Sequence, residues 1–396
     1  MPPEKILQAE WKRQANGKIN HVYITPNGSF ITAASDDRDV YFIDHSGRLI
    51  WANTTGDDVV FVKSSDDGEY IVACSKDSIV SFYNKRGDQL WTYRLGKRLR
   101  SLDMDPSGAL VVAGYDDCSL RALDHQGNVA WSRNFRKPVT TVGVSTGGSL
   151  VTAGTDEGRS YMFTKDGRLR WEFITNSPVV CVDTSFDGEF SFVLEMMNNT
   201  IHCVSDRGYE LASSTYAGRI TDLSITDDGH YMAIGFSNSQ VYYTDKTLQQ
   251  IWKTIVPGPV ERIKVSGDGS MVFVATGTNN VYVLNRQGDI LLTYPLDSIA
   301  FGLWSNVDGN YFAVGAGNTV YMFSIGRYLQ YTSREHIKIL KLMESDRQRA
   351  LQGVNNVGGR SGAPDQSVNV CRKCGEPILL SRQFCNYCEM MMRRGR

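Results

Sequence analysis

The sequence has no apolar run near the ~20 residues that a membrane-spanning helix needs. Its first residues, MPPEKILQAEWKRQ, contain no apolar core of signal-peptide length. We therefore expect a cytoplasmic protein with no membrane partner. Only 6 of the 396 residues are histidine, and no HExxH, GxSxG, P-loop or glycine-rich dinucleotide motif occurs. The absence of these motifs favours a protein that is not an enzyme.

Cysteine is sparse in most of the chain. Four of the 8 cysteines lie within or beside apolar runs: Cys74, Cys118, Cys181 and Cys203. Without an export signal a disulfide framework is not expected, and a free cysteine in an apolar strand behaves as a small hydrophobic residue. These four cysteines are therefore predicted to be structural.

Net charge is also low, at −1, but it is unevenly distributed. Residues 327–396 contain thirteen Lys or Arg and six Asp or Glu, whereas 1–326 has an acidic excess. An acidic body with a basic tail favours an anionic partner for the tail. Charges that only keep the tail soluble would give the same composition.

What the chain has in abundance is a regular repeat. Glycine followed four residues later by tryptophan recurs 40 residues apart at Gly47/Trp51, Gly87/Trp91, Gly127/Trp131 and Gly167/Trp171. A second series of turn glycines keeps nearly the same spacing: Gly28, Gly68, Gly108, Gly148, Gly188, Gly229, Gly269 and Gly309. A period of this length, filled with short β-type runs, is typical of the blades of a β-propeller.

One repeat, from Ile19 to Thr55, contains the runs INHVYIT, SFITAAS, VYFID and RLIWAN, separated by Gly, Asn or Asp turns. This pattern predicts a four-stranded antiparallel sheet. The unit occurs eight times, with innermost strands beginning near Ile19, Val59, Leu99, Val139, Val179, Ile220, Val260 and Ile299. The sequence therefore predicts an all-β fold, an eight-bladed β-propeller of four-stranded antiparallel blades.

The eighth unit ends after its third run, at Ser324. Trp11 lies 40 residues before Trp51, so Gln8 to Arg13 matches the missing fourth strand. We expect the N-terminal strand to complete the last blade and close the ring, which leaves no open sheet edge.

Tryptophan occupies one equivalent position in most repeats: Trp11, Trp51, Trp91, Trp131, Trp171 and Trp252. A large aromatic at this position is predicted to pack between neighbouring blades; ligand stacking is the alternative. Ala212 and Leu292 stand at the same position in the fifth and seventh units. Those two interfaces are expected to differ locally.

The stretch ALDHQGNVAW, from Ala122 to Trp131, resembles the tryptophan docking motif of the pyrroloquinoline-quinone-like β-propellers, shortened by one residue. This family is related to WD40 propellers, and the resemblance covers about 325 residues. Quinoprotein dehydrogenases of similar fold hold a quinone and a calcium ion and carry a vicinal cysteine pair. No such pair occurs in this chain. The resemblance therefore implies the fold more strongly than the enzymatic activity.

Two loops that join successive blades are basic, GKRLR at 96–100 and RNFRKP at 133–138. Lys97 and Lys137 are one repeat apart, so the loops are expected on adjacent blades and on one face. The residues predicted to bind a partner there are Lys97, Arg98, Arg100, Arg133, Arg136 and Lys137. The patch would suit phosphate groups or an acidic protein; the alternative is a solvated rim.

The repeat ends near residue 326, and the chain divides into a β-propeller (1–326), a connecting helix (327–352), a flexible linker (353–368) and a zinc ribbon (369–396). Helical spacing of apolar residues follows Thr332, which forms a predicted capping box with Glu335. Gly353 lies just beyond the predicted helix end. The composition of GVNNVGGRSGAPDQS is typical of a flexible linker.

Two CxxC pairs near the end of the chain predict a metal site. The four predicted ligands are Cys371, Cys374, Cys385 and Cys388, with ten residues between the pairs. Four thiolates saturate one tetrahedral Zn²⁺, and binding supplies the folding energy that so small a core lacks. One structural zinc ion is predicted; rubredoxin-type iron and a redox dithiol are the alternatives.

Basic residues surround these cysteines, with Phe384 and Tyr387 between the two pairs. The residues predicted to contact nucleic acid are Arg372, Lys373, Arg382, Arg393 and Arg394. Arginine binds phosphate and aromatic rings stack on bases, but zinc ribbons also dock onto proteins. The function predicted first is a non-enzymatic protein-interaction scaffold, with the propeller as platform and the ribbon as second contact. The alternatives are a nucleic-acid-associated factor of ribosomes or transcription, and a cofactor-binding quinoprotein relative.

Overall fold

The computed structural model of the chain describes residues 5–94, 96–329, 369–370 and 377–378. The chain divides into two compact units, Met1–Ser324 and Ile325–Arg396. The first unit contains eight sheets of four antiparallel strands each, and one sheet has an additional parallel strand. In seven of the sheets the four antiparallel strands follow one another in sequence from the inside of a ring to its rim. The fold is an eight-bladed β-propeller, as the repeat predicts.

The innermost strands are β3 (Ile19–Ile24), β7 (Val59–Ser64), β11 (Leu99–Met104), β15 (Val139–Val144), β19 (Val179–Thr184), β23 (Ile220–Ile225), β27 (Val260–Val265) and β31 (Ala300–Ser305). The second strands are β4 (Phe30–Ser35), β8 (Tyr70–Ser75), β12 (Leu110–Tyr115), β16 (Leu150–Thr155), β20 (Phe190–Glu195), β24 (Tyr231–Phe236), β28 (Met271–Thr276) and β32 (Tyr311–Ala316).

The third strands are β5 (Asp39–Asp44), β9 (Ile79–Asn84), β13 (Ser119–Asp124), β17 (Arg159–Thr164), β21 (Thr200–Ser205), β25 (Gln240–Asp245), β29 (Asn280–Asn285) and β33 (Thr319–Ser324). The outermost strands are β6 (Leu49–Thr54), β10 (Gln89–Arg94), β14 (Val129–Asn134), β18 (Leu169–Ile174), β22 (Glu210–Thr215), β26 (Gln250–Ile255), β30 (Ile290–Pro295) and, for the eighth blade, β2 (Ala9–Gln14). One further strand, β1, covers Lys5–Ile6.

The N-terminal strand closes the ring as predicted. β2 pairs antiparallel with β33, and Trp11 lies opposite Met322. The eighth blade is therefore complete although its four strands come from the two ends of the repeat region. The closure satisfies the outward-facing backbone groups of β33, which would otherwise form an open edge.

The tryptophans pack between blades, and each one docks on a glycine of the next blade. Trp51 donates its indole N–H to the carbonyl of Lys85 at 3.0 Å. Gly87 follows in the same turn with φ of 90°, and a Cβ there would lie 2.9 Å from the indole. The other tryptophan–glycine pairs are Trp11–Gly47, Trp91–Gly127, Trp131–Gly167, Trp171–Gly208 and Trp252–Gly288.

The two interfaces without tryptophan differ, as expected. In the fifth blade Ala212 replaces tryptophan, and Leu248 of the sixth blade replaces the glycine. Leu248 adopts a positive φ of 63°, is 6% exposed and packs in the same apolar cluster as Ala212. The large and small partners have exchanged places, which keeps the interface filled.

In the seventh blade Leu292 lies beneath an additional strand. β1 pairs in parallel with β30, with Lys5 opposite Leu292, and the amide of Leu7 donates to the carbonyl of Thr293 at 2.8 Å. Leu7 is fully buried. This blade therefore has five strands. The additional strand was not predicted, because a run of two residues carries no periodic signal.

The second unit is described only in part. Its described residues form one helical turn, α1 (Gly326–Leu329), and an antiparallel pair of short strands, β34 (Asn369–Val370) with β35 (Pro377–Ile378). The predicted helix beyond residue 329 and the predicted linker lie outside the described residues, so both remain predictions. No helix in the described ranges is long and apolar enough to cross a membrane.

The docking geometry predicts that Gly87→Ala destabilises the protein. The new Cβ meets the indole of Trp51, and alanine tolerates the positive φ poorly, so the free energy of unfolding should fall by about 1–3 kcal/mol. Gly96→Ala is the matched control, because a Cβ there has no atom within 4 Å; its effect should stay below about 0.5 kcal/mol. Urea denaturation measures both, and equal effects would contradict the proposed role of the dock.

Candidate interaction face and central channel

The top face is defined here as the face that carries the loops from each outermost strand to the next blade, together with the turns between second and third strands. Backbone bonds hold these two sets of loops together, for example from Thr55 N to Arg38 O at 2.8 Å. The side chains of Lys97, Arg98, Arg136 and Lys137 are exposed on these loops. The basic loops therefore lie on one face, at neighbouring blade junctions.

Arg100 is only partly available to a partner. Its guanidinium pairs with Asp116 through Nε and lies 3.8 Å from Asp156 through Nη2. The two carboxylates belong to the turns of the third and fourth blades. Arg100 belongs to the predicted basic patch, but the carboxylates of Asp116 and Asp156 offset its positive charge.

Arg133 has a structural contact instead. Its Nη2 donates to the carbonyl of Gly167, the glycine on which Trp131 docks. Side chains at the equivalent position do the same elsewhere: Arg13 to Gly47 at 3.1 Å, Asn53 to Gly87 at 2.7 Å and Thr254 to Gly288 at 2.7 Å. Arg133 thus strengthens the interface between the third and fourth blades.

A groove of 420 Å³ lies beside the second basic loop. Arg133, Phe135 and Arg136 form one side of it, with Glu157 and Glu172 among its other lining residues. Both carboxylates are within reach of Arg159, which pairs with Glu172 and lies 3.7 Å from Glu157. The groove is therefore of mixed charge and does not extend the basic patch.

The fifth blade carries a longer turn on the same face. Its β20–β21 turn has four residues, Met196–Asn199, whereas the equivalent turns have three residues in six blades and two in the eighth. Met196 and Met197 are 57% and 76% exposed. Sequence reasoning missed this feature, although the spacing from Gly188 to Gly229 is one residue longer than the preceding intervals. We call residues 196–199 the Met loop.

The Met loop is held in place by a buried carboxylate. Glu195 is 1% exposed, and its Oε2 accepts from the amides of Asn176 and Ser177 at 3.0 and 3.1 Å. The amide of Met196 donates to the carbonyl of Pro178 at 2.9 Å, and the amide of Met197 donates to Ser177 Oγ at 3.2 Å. The two exposed methionines are therefore presented by an ordered loop.

The innermost strands surround a central channel, and third or fifth residues of five of these strands line a cavity in it. The third residues are His21, Phe61, Ser101, Thr141, Cys181, Asp222, Arg262 and Gly302. The fifth residues are Tyr23, Lys63, Asp103, Gly143, Asp183, Ser224, Lys264 and Trp304. A cavity of 210 Å³ opens between the first, fifth, sixth, seventh and eighth blades, with His21, Asp222 and Arg262 among its lining residues.

Polar side chains of the channel join neighbouring blades. Asp103 pairs with Lys63 at 2.5 Å and accepts from the amide of Val144 at 2.7 Å. Asp222 accepts from the amide of Ile263 at 2.9 Å. These bonds connect adjacent innermost strands. Without them, the backbone N–H groups of these strands would need water in the channel as their hydrogen-bond partner.

Burial governs protonation in the channel. It lowers the pKa of His21 to about 4, and the positive charges of Arg262 and Lys63 act in the same direction, against a hydrogen bond with the backbone of Val62. Burial raises the pKa of Asp183 and of Asp222, while Lys264 and Arg262 respectively oppose the rise. His21 Nδ1 is buried and has no hydrogen-bond partner among the described residues.

Two further histidines and the four cysteines of the propeller have structural positions. His45 and His125 occupy equivalent turns, where Nδ1 contacts the carbonyls of Gly28 and Gly108 at 2.9 and 3.2 Å. The four propeller cysteines are free thiols, and burial raises the pKa of Cys74 to about 12. Within the described ranges, no group of three or more His, Cys, Asp or Glu side chains is placed to hold a metal ion.

The predicted zinc and nucleic-acid residues of the tail lie outside the described residues. These are the ligands Cys371, Cys374, Cys385 and Cys388, and the basic residues Arg372, Lys373, Arg382, Arg393 and Arg394. The zinc ribbon and its contacts therefore remain predictions from the cysteine spacing.

Comparison with known proteins agrees with this architecture. A family model described as Outer membrane protein assembly factor BamB matches residues 8–138 and 36–185. A search of curated proteins finds no match. The chain is therefore similar to the BamB-like propeller family over its first blades.

Solved structures of other propellers superpose on most of this chain. The C-terminal WD40 domain of Sif2 superposes with a TM-score of 0.70 at 15% identity, and the match covers 81% of this chain and 99% of that one. Sqt1 from Saccharomyces cerevisiae also superposes with a TM-score of 0.70, at 13% identity and with the same coverage. At such identities the likeness shows the fold alone, a β-propeller.

The pKa of His21 predicts a dependence of stability on pH. The unfolded chain binds a proton near the ordinary histidine pKa of about 6.5, whereas the folded protein does so only near 4. The unfolded state therefore binds more protons between these values, and stability falls as pH decreases through that window.

His21→Gln should remove this contribution. Urea denaturation at about pH 7 and about pH 5 should show a smaller loss of stability in the variant than in the wild type. The comparison cancels the contributions of groups that titrate equally in both proteins. Identical losses would contradict a neutral, buried His21.

Proposed function

We propose that this chain is a non-enzymatic protein-interaction scaffold that acts in the cytoplasm and binds partner proteins on its top face. The observation that carries the proposal is the pair of exposed methionines on an ordered loop. Methionine adapts its shape to different apolar surfaces and is enriched at protein interfaces. Because Glu195 already fixes the Met loop, binding of a partner would cost little conformational entropy for ordering this loop.

The charges on the same face indicate the chemistry of the partner. The loops that join blades two to three and three to four carry Lys97, Arg98, Arg136 and Lys137, and the next junction carries the residues that anchor the Met loop. An acidic segment with apolar side chains would match both parts of this surface. The positive charges would accelerate its association, and the methionines would supply apolar contact area.

The comparisons are compatible with such a role. The similar family is named for an assembly factor, and a scaffold that gathers other proteins would need a comparable binding platform. Free cysteines throughout the propeller suit a reducing compartment such as the cytoplasm. Both points support the proposal by analogy and by chemistry.

Replacing both methionines tests the surface. Met196→Ser/Met197→Ser in the full-length chain should weaken capture of specific partners by about tenfold or more, because the apolar contact is lost. Leu90→Ser/Leu211→Ser is the matched control, since these leucines are 45% and 55% exposed on outermost strands. Quantitative affinity purification with mass spectrometry measures both, and unchanged capture by the methionine variant would contradict the proposal.

The predicted zinc ribbon would provide a second contact and raise avidity. Its basic and aromatic residues favour the alternative function, a nucleic-acid-associated factor of ribosomes or transcription. Nuclease treatment separates these functions. Protein partners of a scaffold survive it, whereas partners that reach the chain through nucleic acid are lost, and direct nucleic-acid binding falls steeply with salt.

The ribbon itself is tested by metal content. Elemental analysis of the full-length protein should find about one zinc ion per chain, and Cys371→Ser/Cys374→Ser should remove it. Cys118→Ser, which changes a free propeller cysteine, should leave the zinc content unchanged. A zinc content that is the same in both variants would show that these cysteines are not the ligands.

A further inference from the structure

The central cavity contains charges of both signs that form no direct ion pair with each other. Asp183, Asp222, Arg262 and Lys264 all line it, and none of them forms an ion pair within 4.0 Å among the described residues. By contrast, Lys63 and Asp103 in the same channel pair at 2.5 Å. Lys264 and Arg262 act on Asp183 and Asp222 by electrostatic attraction without a direct contact. Burying charges without a directly contacting opposite charge is costly, so this set of two acids and two bases requires an explanation.

The cations of the cavity are oriented by the protein. Arg262 donates through Nε to the carbonyl of Phe301 at 3.0 Å and through Nη1 to the carbonyl of Glu261 at 2.8 Å. These two bonds fix the guanidinium plane, and Nη2 has no acceptor among the described residues. The ammonium of Lys264 lies 4.0 Å from the centre of the Trp304 ring, a favourable cation–π position.

The carboxylates are fixed as well. Asp222 accepts from the amides of Leu223 and Ile263 at 3.0 and 2.9 Å. Asp183 accepts from the amide of Thr184 at 2.9 Å. Each carboxylate retains acceptor capacity beyond these bonds, so both can receive hydrogen bonds from a ligand.

Aromatic rings and size restrict the ligand further. Phe301 and Trp304 form apolar parts of the wall. The volume of 210 Å³ equals that of about seven water molecules at ~30 Å³ each, and it is below the range of pockets for drug-sized ligands. A ligand of this site therefore has few heavy atoms.

We propose that the central cavity binds a zwitterionic α-amino acid with an apolar side chain. Its carboxylate contacts Arg262 and Lys264, and its ammonium contacts Asp222 and Asp183. An anion alone would contact the two bases and leave the two acids without a directly contacting opposite charge, and a cation alone would leave the two bases without one. The apolar side chain lies against Phe301 and Trp304.

Leucine and its two single-charge analogues test the proposal. Calorimetric titration of the full-length protein with leucine, 4-methylpentanoate and 3-methylbutylamine should show binding at least about tenfold tighter for leucine than for either analogue. Ligand-observed NMR provides an independent readout. Failure of leucine to bind, or equal binding of one analogue, would overturn the proposal.

Charge-removing variants locate the site. Asp222→Asn and Arg262→Gln should each weaken leucine binding by about tenfold or more. Asp116→Asn and Arg100→Gln are the matched controls, because these residues pair with each other outside the cavity; leucine affinity should be unchanged in both. Circular dichroism confirms that each variant is folded, and Arg262→Gln provides the test if Asp222→Asn does not fold. Unchanged leucine affinity in a folded cavity variant would overturn the proposal.

Discussion

The packing of an indole against a glycine turn of the next blade is the contact on which the ring depends. The contact requires a turn with positive φ and no Cβ, because Trp51 occupies the space that a side chain at Gly87 would need. The ring closes only if the rotations between successive blades add up to one full turn. A change in rotation at one blade interface must therefore be offset at the other interfaces. Repeating one dock at six interfaces gives those junctions the same spacing. Trp11 shows the consequence most directly: its strand completes the eighth blade while its indole docks on the first.

The two exceptions show which property of the dock is essential. Ala212 and Leu248 exchange the large and the small partner, and Leu248 still adopts the positive φ that glycine has elsewhere. The turn is therefore kept even where the residue is unfavourable for it. Beside Leu292 no following turn exists, because the chain leaves the last blade after β33. The parallel strand β1 covers that site instead, with Leu7 fully buried. The rim is thus packed in three different ways: by tryptophan on glycine, by Leu248 against Ala212, and by β1 over Leu292.

The repeat in the sequence was enough to predict the number of blades and the closing strand, because both follow from a period that every blade shares. Features that depend on one blade were not predictable. The Met loop differs by a single residue, and its order comes from Glu195 binding a loop of the preceding blade. The basic patch was predicted from local charge, but Asp116 and Asp156 reach Arg100 only through the strand register. Likewise, Arg133 contacts Gly167 across a blade interface that no local pattern reveals.

The channel is polar for two separable reasons. Side chains that face it bridge adjacent innermost strands, and this task needs only a hydrogen-bond acceptor. Ser101 and Ser224 perform it with neutral hydroxyl groups, which accept from the amides of Val142 and Val265 at 3.0 and 3.2 Å. Asp222 performs the same task with a charged group whose burial is unfavourable. The charge of Asp222 therefore exceeds what the ring requires. Arg262 occupies the equivalent position on the next innermost strand and lines the same cavity. The negative charge of Asp222 is therefore accompanied by a positive charge that the ring does not require either. A structural role alone explains the acceptor at this junction but not the pair of opposite charges.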